Sequence, residues 1–211
     1  RSGAVSFWDA ADPTSASLGI YQLGPDNSLL PEVEFVQGEI VPEGDATPIS
    51  GEPQQGAGDG VFKIGTFLPV TGNLAFLAPP EIAAVKLAVQ DIEAAGGIPG
   101  FDSIVLEEGD SGDTSTQTGQ QTIKRLLPLG IDVLIGASSS GSSLSVLDQV
   151  TGAGVMMISP ANTSPALTTA PDSGLYFRTA PSDVLQGAFL GSLILQDGYT
   201  SVAIMSLQDS Y

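Results

Sequence analysis

The sequence predicts an α/β fold, a doubly wound parallel sheet with a short β-rich segment ahead of it. Three observations carry this. From Val61 onward, short apolar runs alternate with segments of helix length, the pattern of βαβ units. The first such segment puts Ile82, Val85, Val89 and Ile92 on one face and stops at Gly96-Gly97. The stretch after each apolar run then turns small and polar, as loops do at the carboxyl edge of an open sheet where ligands bind.

Residues 1–44 hold the short alternating runs "AVSFWD", "LGIYQLG" and "EVEFVQGEIV", which read as two or three strands joined by turns. "GPDN" between them has tight-turn composition. Residues 45–60, "DATPISGEPQQGAGDG", have no apolar period and read as a linker. The α/β lobe follows over residues 61–200, opening with the buried-strand candidate "VFKIGTFL" and the helix in "PPEIAAVKLAVQDIEAAGG". Next come strand "SIVLEE", a helix over about 116–127, strand "DVLIG", a helix over about 142–150 and strand "VMMIS". After a looser stretch the pattern resumes with strand "LYFR", a helix over about 182–196 and strand "SVAIMS". Helices on both faces should cover the parallel sheet. No repeat of solenoid period appears.

Composition narrows the function. Six basic residues stand against 24 acidic ones, a net charge of −18, which repels phosphate backbones and argues against nucleic acid and anionic membranes. The longest apolar stretches, such as "AFLGSLIL", fall short of the ~20 residues of a spanning helix. The absence of cysteine removes disulfides, thiolate metal sites, cysteine nucleophiles and a lipoprotein anchor. No signal peptide is visible at Arg1, so an exported protein would be present in processed or trimmed form. The absence of histidine removes the usual base and the commonest metal ligand. No G-x-G-x-x-G follows the first strand and no P-loop lysine appears, so no nucleotide cofactor is expected, nor any metal.

The candidate site lies in four rim loops, "PVTGNLAFLAPP", "GDSGDTST", "ASSSGSS" and "SPANTSPA". In "ASSSGSS", hydroxyls between strand and helix would share a direction with the unpaired amides of the helix N-terminus. Together they make a neutral cradle for a carboxylate; helix capping is the alternative use of the same serines. With no histidine to complete a triad, those hydroxyls bind and do not react. In "SPANTSPALT", Thr163 offers a hydroxyl, and the backbone carbonyl near Ala161 and Asn162 an acceptor for an ammonium group. Turn and cap duty is the competing reading. Phe76 and Leu77 would either face a cleft or sit in the core. Asp110 and Asp113 are too few for a Ca²⁺ loop, and Asp113 is expected to cap the next helix.

From about Phe62 to Tyr211 the sequence resembles the type I periplasmic (solute-binding) proteins of ABC transporters, specifically the branched-chain amino-acid-binding group. The likeness is carried by "FKIGTFLPVTGNLAFLAPPEIAAVKLAVQDIEAAGGIPG", "DVLIGASSSGSSLSVLDQVTGAGVMMISPANTSPALTT", "YFRTAPSDVLQG" and "VAIMSLQDSY", in that order and spacing. The resemblance implies two Rossmann-like lobes joined by three crossovers, closing over a ligand by a hinge motion. It implies that Ser140, with Ser139 and Ser142, and Thr163 hold the ligand carboxylate. It further implies that the Asn162 position, beside Ala161, offers its backbone to the α-amino group. The Phe76–Leu77 loop would lie by the ligand side chain, and Tyr211 would lie against the ligand from the second lobe. The acid that fixes the ammonium would belong to that second lobe. Residues 201–211 correspond to the first strand of lobe two, the rest of which lies beyond Tyr211.

The stretch "SGAVSFWDAADPTSASLGIYQLGPDNSLLPEVEFVQGEI" resembles the family's C-terminal tail, here placed ahead of the first lobe. That order suggests tandem units, a circular permutant or a fragment of either, with another chain or fragment supplying lobe two. The leading expectation is a non-enzymatic, extracytoplasmic receptor for an amino-acid-like carboxylate, partnered by an ABC permease. An extracellular assembly subunit completed by its neighbours is the alternative. Sensing without transport would use the same pocket.

Overall fold

The computed structural model describes residues 58–206, together with the backbone of two strands, β1 (Ser15–Leu23) and β2 (Leu29–Glu39). Those two pair antiparallel, with Ser15 opposite Glu39 and Tyr21 opposite Val33. They contain the expected "LGIYQL" and "EVEFVQGE" runs. The "AVSFWD" run, the "GPDN" turn and residues 45–57 of the linker lie outside the described residues.

The lobe is a five-stranded parallel sheet built from β3 (Val61–Phe67), β4 (Ser103–Glu107), β5 (Val133–Gly136), β6 (Met156–Ser159) and β7 (Tyr176–Arg178), in the order β4-β3-β5-β6-β7. Four helices join or follow them: α1 (Ala78–Ala94), α2 (Thr118–Leu126), α3 (Ser140–Gly152) and α4 (Asp183–Gln196). Pro79 and Pro80 open α1, where a missing N–H costs nothing. Its end falls where the sequence places it: the Gly97 amide donates to Ile92 O at 2.9 Å, with Gly97 at φ +82°, a conformation glycine adopts without strain.

Alternation along the strands separates two faces of unequal finish. Leu134 and Met157 join Phe67, Ile123 and Leu126, with Val146, Leu147 and Val150 of α3, in a buried core under α2 and α3. The neighbouring positions, Phe62 and Ile64, Val133 and Ile135, Met156 and Ile158, face α1 across an open apolar groove of about 1080 Å³. The α1 face predicted from periodicity is correct in phase, yet Ile82, Val85, Val89 and Ile92 are only partly buried. No residue of α4 is fully buried, and Val184, Leu190 and Leu195 are exposed. The expected cover on both faces is therefore tight on one side only.

Two element boundaries differ from expectation. α3 begins at Ser140 rather than near 142, because Ser139 takes extended geometry (ψ 132°) and its side chain accepts from the Ser142 amide, fixing the cap earlier in the serine run. Residues 201–206, "SVAIMS", form no strand; a strand needs a hydrogen-bonded partner, and no described strand adjoins them. Ile204 and Met205 are accordingly exposed.

Candidate ligand-binding site

The site is assembled where β3, β5 and β6 end. Gly136 closes β5 at φ +135°, and a Cβ there would stand 2.0 Å from Phe67 O. Only glycine permits the two strand ends to approach so closely. The chain then enters the serine run, whose hydroxyls divide among different partners. The Ser138 hydroxyl donates to Glu81 Oε2 at 2.6 Å. Ser139 caps α3. Ser140 Oγ accepts from the amides of Thr163 and Ser164, both at 3.2 Å, which draws the loop after β6 onto the first turn of α3. Ser143 Oγ accepts from the Ala137 amide at 3.0 Å. Ser142 Oγ is buried and has no hydrogen-bond partner among the described residues.

The loop after β6 is braced from inside. Ser159 Oγ donates to Ala137 O at 2.6 Å and accepts from the amides of Ala161 and Asn162. Asn162 Nδ2 donates to Ala137 O (2.9 Å) and Ser138 O (3.0 Å), while its Oδ1 accepts from the Tyr176 hydroxyl at 2.9 Å. Thr163 is clasped to the start of α4: its hydroxyl donates to Asp183 Oδ2 and its carbonyl accepts from the Asp183 amide, each at 2.8 Å. Arg178 is fully buried, donating to Ser164 O at 2.7 Å and to Thr168 Oγ1 at 2.6 Å.

The structure sorts the expected ligand residues into two groups. Ser140 and Thr163 converge, but Ser140, Ser142 and Asn162 are sealed and Ser139 is nearly so. The hydroxyls of Ser139 and Ser140 and the Asn162 amide hold the rim together. Ala161 and Thr163 remain partly accessible, as does Gly141 in the first turn of α3, where the leading amides have no intrahelical acceptor. Phe76 is 71% exposed and Leu77 partly exposed, so neither belongs to the core. Tyr211 lies outside the described residues.

The capping role expected of Asp113 is also corrected. α2 is preceded by Gln117 with no side-chain cap, and Asp113 instead accepts from the Asn73 amide at 2.9 Å. Asp110 accepts from both the Thr71 amide (3.1 Å) and the Thr71 hydroxyl (2.6 Å). The two aspartates thus tie the loop carrying Phe76 to its neighbour across the rim.

Sequence reasoning missed Glu81 and Asp183. Each is the acid in the first turn of a helix, a position that helix electrostatics alone explains. What reveals them is the rim hydroxyl each engages. Burial pushes the Glu81 carboxyl above its ordinary pKa, opposed by the hydrogen bond from Ser138. The apolar groove under α1 includes none of these rim groups and is a separate feature.

A parallel α/β lobe whose polar loops gather at the strand ends, with a helix N-terminus among them, has the layout in which open α/β folds place their ligand sites. Residues 61–211 match the profile of the periplasmic binding protein family, and the chain belongs to that family. Leu/Ile/Val-binding protein homolog 8 of Brucella abortus is 33% identical over 118 residues, 47% of this chain and 28% of the relative. The chemotactic signal transduction system substrate-binding protein BasB of Halobacterium salinarum is 29% identical over 147 residues, 65% of this chain and 34% of the relative. Among solved structures, an ABC transporter substrate-binding protein from Desulfitobacterium hafniense in complex with Leu shares 28% identity at a TM-score of 0.55, covering 65% of this chain and 39% of that one. The substrate-binding protein LivJ of Streptococcus pneumoniae, in complex with isoleucine, shares 28% identity at a TM-score of 0.56, covering 64% and 38%. The chain spans about a third of the length of the curated relatives it matches.

Proposed function

We propose that the chain provides the first lobe of an extracytoplasmic solute-binding protein that takes a small amino-acid-like carboxylate and delivers it to an ABC permease. The observation that carries this reading is the junction at Ser140 Oγ, which brings Thr163 and Ser164 onto the first turn of α3. Amide donors at that helix end suit an anion, with the dipole contributing ~0.3–1 kcal/mol where exposed. Accessible Thr163 and Ala161 lie on one side, and the Phe76–Leu77 loop is available to an uncharged side chain. Family membership supports binding without catalysis. In the full receptor a second lobe, with Tyr211 at its start, would close the cleft.

Calorimetric titration of the protein with leucine, isoleucine, valine and other amino acids tests the reading. Binding of one or more is expected, and Thr163→Ala should weaken it by ~0.5–1.5 kcal/mol, the usual net worth of one hydrogen bond. A folded two-lobed receptor containing this chain that gives no heat with any amino acid removes the receptor reading.

A second reading, an assembly subunit completed by a neighbour, is favoured by the half-exposed apolar residues of α1 and α4. It expects a stable oligomer by light scattering at micromolar concentration, and a strict monomer counts against it.

A further inference from the structure

α4 has an outward face that no described residue covers. Val184, Gly187, Ala188, Gly191 and Leu195 recur at the i, i+3, i+4, i+7 and i+11 positions of one helical stripe, and all are exposed. Leu185, Phe189 and Leu193 lie round the other side and are half-buried. Among the described residues, a Cβ built at Gly187 or Gly191 meets nothing within 4 Å. The solvent face of a surface helix is ordinarily polar, whereas this stripe is apolar throughout. The apolar surface continues past the helix. The Tyr199 amide donates to Ile194 O at 3.1 Å, which keeps the Tyr199 backbone beside the last turn of α4. Tyr199, Val202, Ile204 and Met205 are all exposed, the last two at 89% and 99%. With Val184, Leu190 and Leu195 they expose roughly 800 Å², more than the patch of about 300–600 Å² on an ordinary monomer and close to one partner's share of a standard interface.

The order of residues on α4 suits a second copy of the same helix. An interface between identical subunits related by a two-fold axis must be complementary to its own image. About an axis between Phe189 and Leu190, an antiparallel copy sets Val184 opposite Leu195, Ala188 opposite Gly191 and Gly187 opposite Ser192. Small residues then meet small ones at the crossing, where the helices can approach closely, and large ones meet at both ends. The antiparallel order also sets each helix N-terminus beside the partner's C-terminus, the favourable arrangement of the dipoles.

We propose that this face is a homodimer interface, in which two copies of the chain pair antiparallel through α4 and cross at Ala188 and Gly191. The inference deepens the assembly reading and rests on it; the rim and its ligand play no part. A net charge of −18 on each copy opposes the pairing. Association should therefore strengthen as salt shortens the reach of that repulsion, from about 10 Å at 0.1 M to about 3 Å at 1 M.

The test is sedimentation equilibrium of the 211-residue chain at micromolar concentration. A dimer is expected, tightening about tenfold or more between ~0.1 M and ~1 M sodium chloride. Gly191→Gln and Leu195→Gln should each weaken it about tenfold or more, while Gln186→Ala, away from the stripe, leaves it unchanged. Gly191→Gln enters open space in the single copy and raises helix propensity, so thermal unfolding followed by circular dichroism should show no loss of stability. The chain has no cysteine, which allows the orientation to be read by cross-linking. A mixture of the Val184→Cys and Leu195→Cys proteins should give the mixed disulfide on oxidation and little of either symmetric one. An oligomer that both Gly191→Gln and Leu195→Gln leave intact overturns the assignment to α4 and spares the assembly reading. Symmetric disulfides alone overturn the antiparallel pairing. A strict monomer at both salt concentrations overturns the inference and the assembly reading together.

Discussion

Asn162 offers three hydrogen-bonding groups on its amide side chain and uses all of them inside the rim, on Ala137 O, Ser138 O and the Tyr176 hydroxyl. The residue is fully buried, so each of those partners would lose its bond without gaining water if the amide were removed. An unsatisfied buried group costs ~1–3 kcal/mol, and the cavity left by the truncation adds to it. Asn162→Ala is therefore expected to lower stability by about 2–4 kcal/mol in urea unfolding, with the midpoint moving and the slope unchanged. A loss under about 0.5 kcal/mol would mean that water or a shifted loop replaces the amide in solution. The sequence shows Asn162 as a turn residue or, through its backbone carbonyl, an acceptor for a ligand ammonium. Its real work needs Tyr176 to sit across the sheet, a juxtaposition that spacing along the chain does not reveal.

The helices show where local signals suffice. α3 starts at the serine whose side chain can cap it, and α4 starts after Ser182, whose side chain accepts from the Val184 amide. Ser139→Ala should cost ~1 kcal/mol through the orphaned Ser142 amide, read as a fall in thermal midpoint with no change in the folded spectrum. An unaltered midpoint would show that neighbouring serines recap the helix. The order of strands and helices, the α1 stripe and its glycine stop were all legible because periodicity and capping act over a few residues. The roles within the serine run were not legible. Six serines of one chemical type divide between capping, bracing and an unpartnered hydroxyl, and only the positions of Glu81, Ala137 and Thr163 decide which does which. The "SVAIMS" run shows the same limit from the other side: strand propensity is present, but pairing comes from elsewhere in a molecule.

At the scale of the molecule, the sheet divides the lobe into a finished half and an open one. On the α2–α3 side, Leu126, Leu134, Val146, Val150 and Met157 are all sealed from solvent. On the α1 side, Val85, Val89 and Ile92 look across a groove of about 1080 Å³ at Phe62, Ile135, Met156 and Ile158. Removing methyl groups from a sealed site loses contacts on every side and leaves a cavity, whereas a side chain that borders open space has fewer contacts to lose. Leu126→Ala should then cost about 2–5 kcal/mol, and Val89→Ala, on the open side, less than about 1 kcal/mol. Denaturant titration of the two variants under one condition checks the contrast. The same groove should take up an apolar fluorescent dye in the native protein, and Val89→Gln should reduce that signal while leaving stability nearly unchanged. If Val89→Ala costs as much as Leu126→Ala and no dye is bound, α1 is packed directly on the sheet in solution, and the asymmetry between the two faces does not exist.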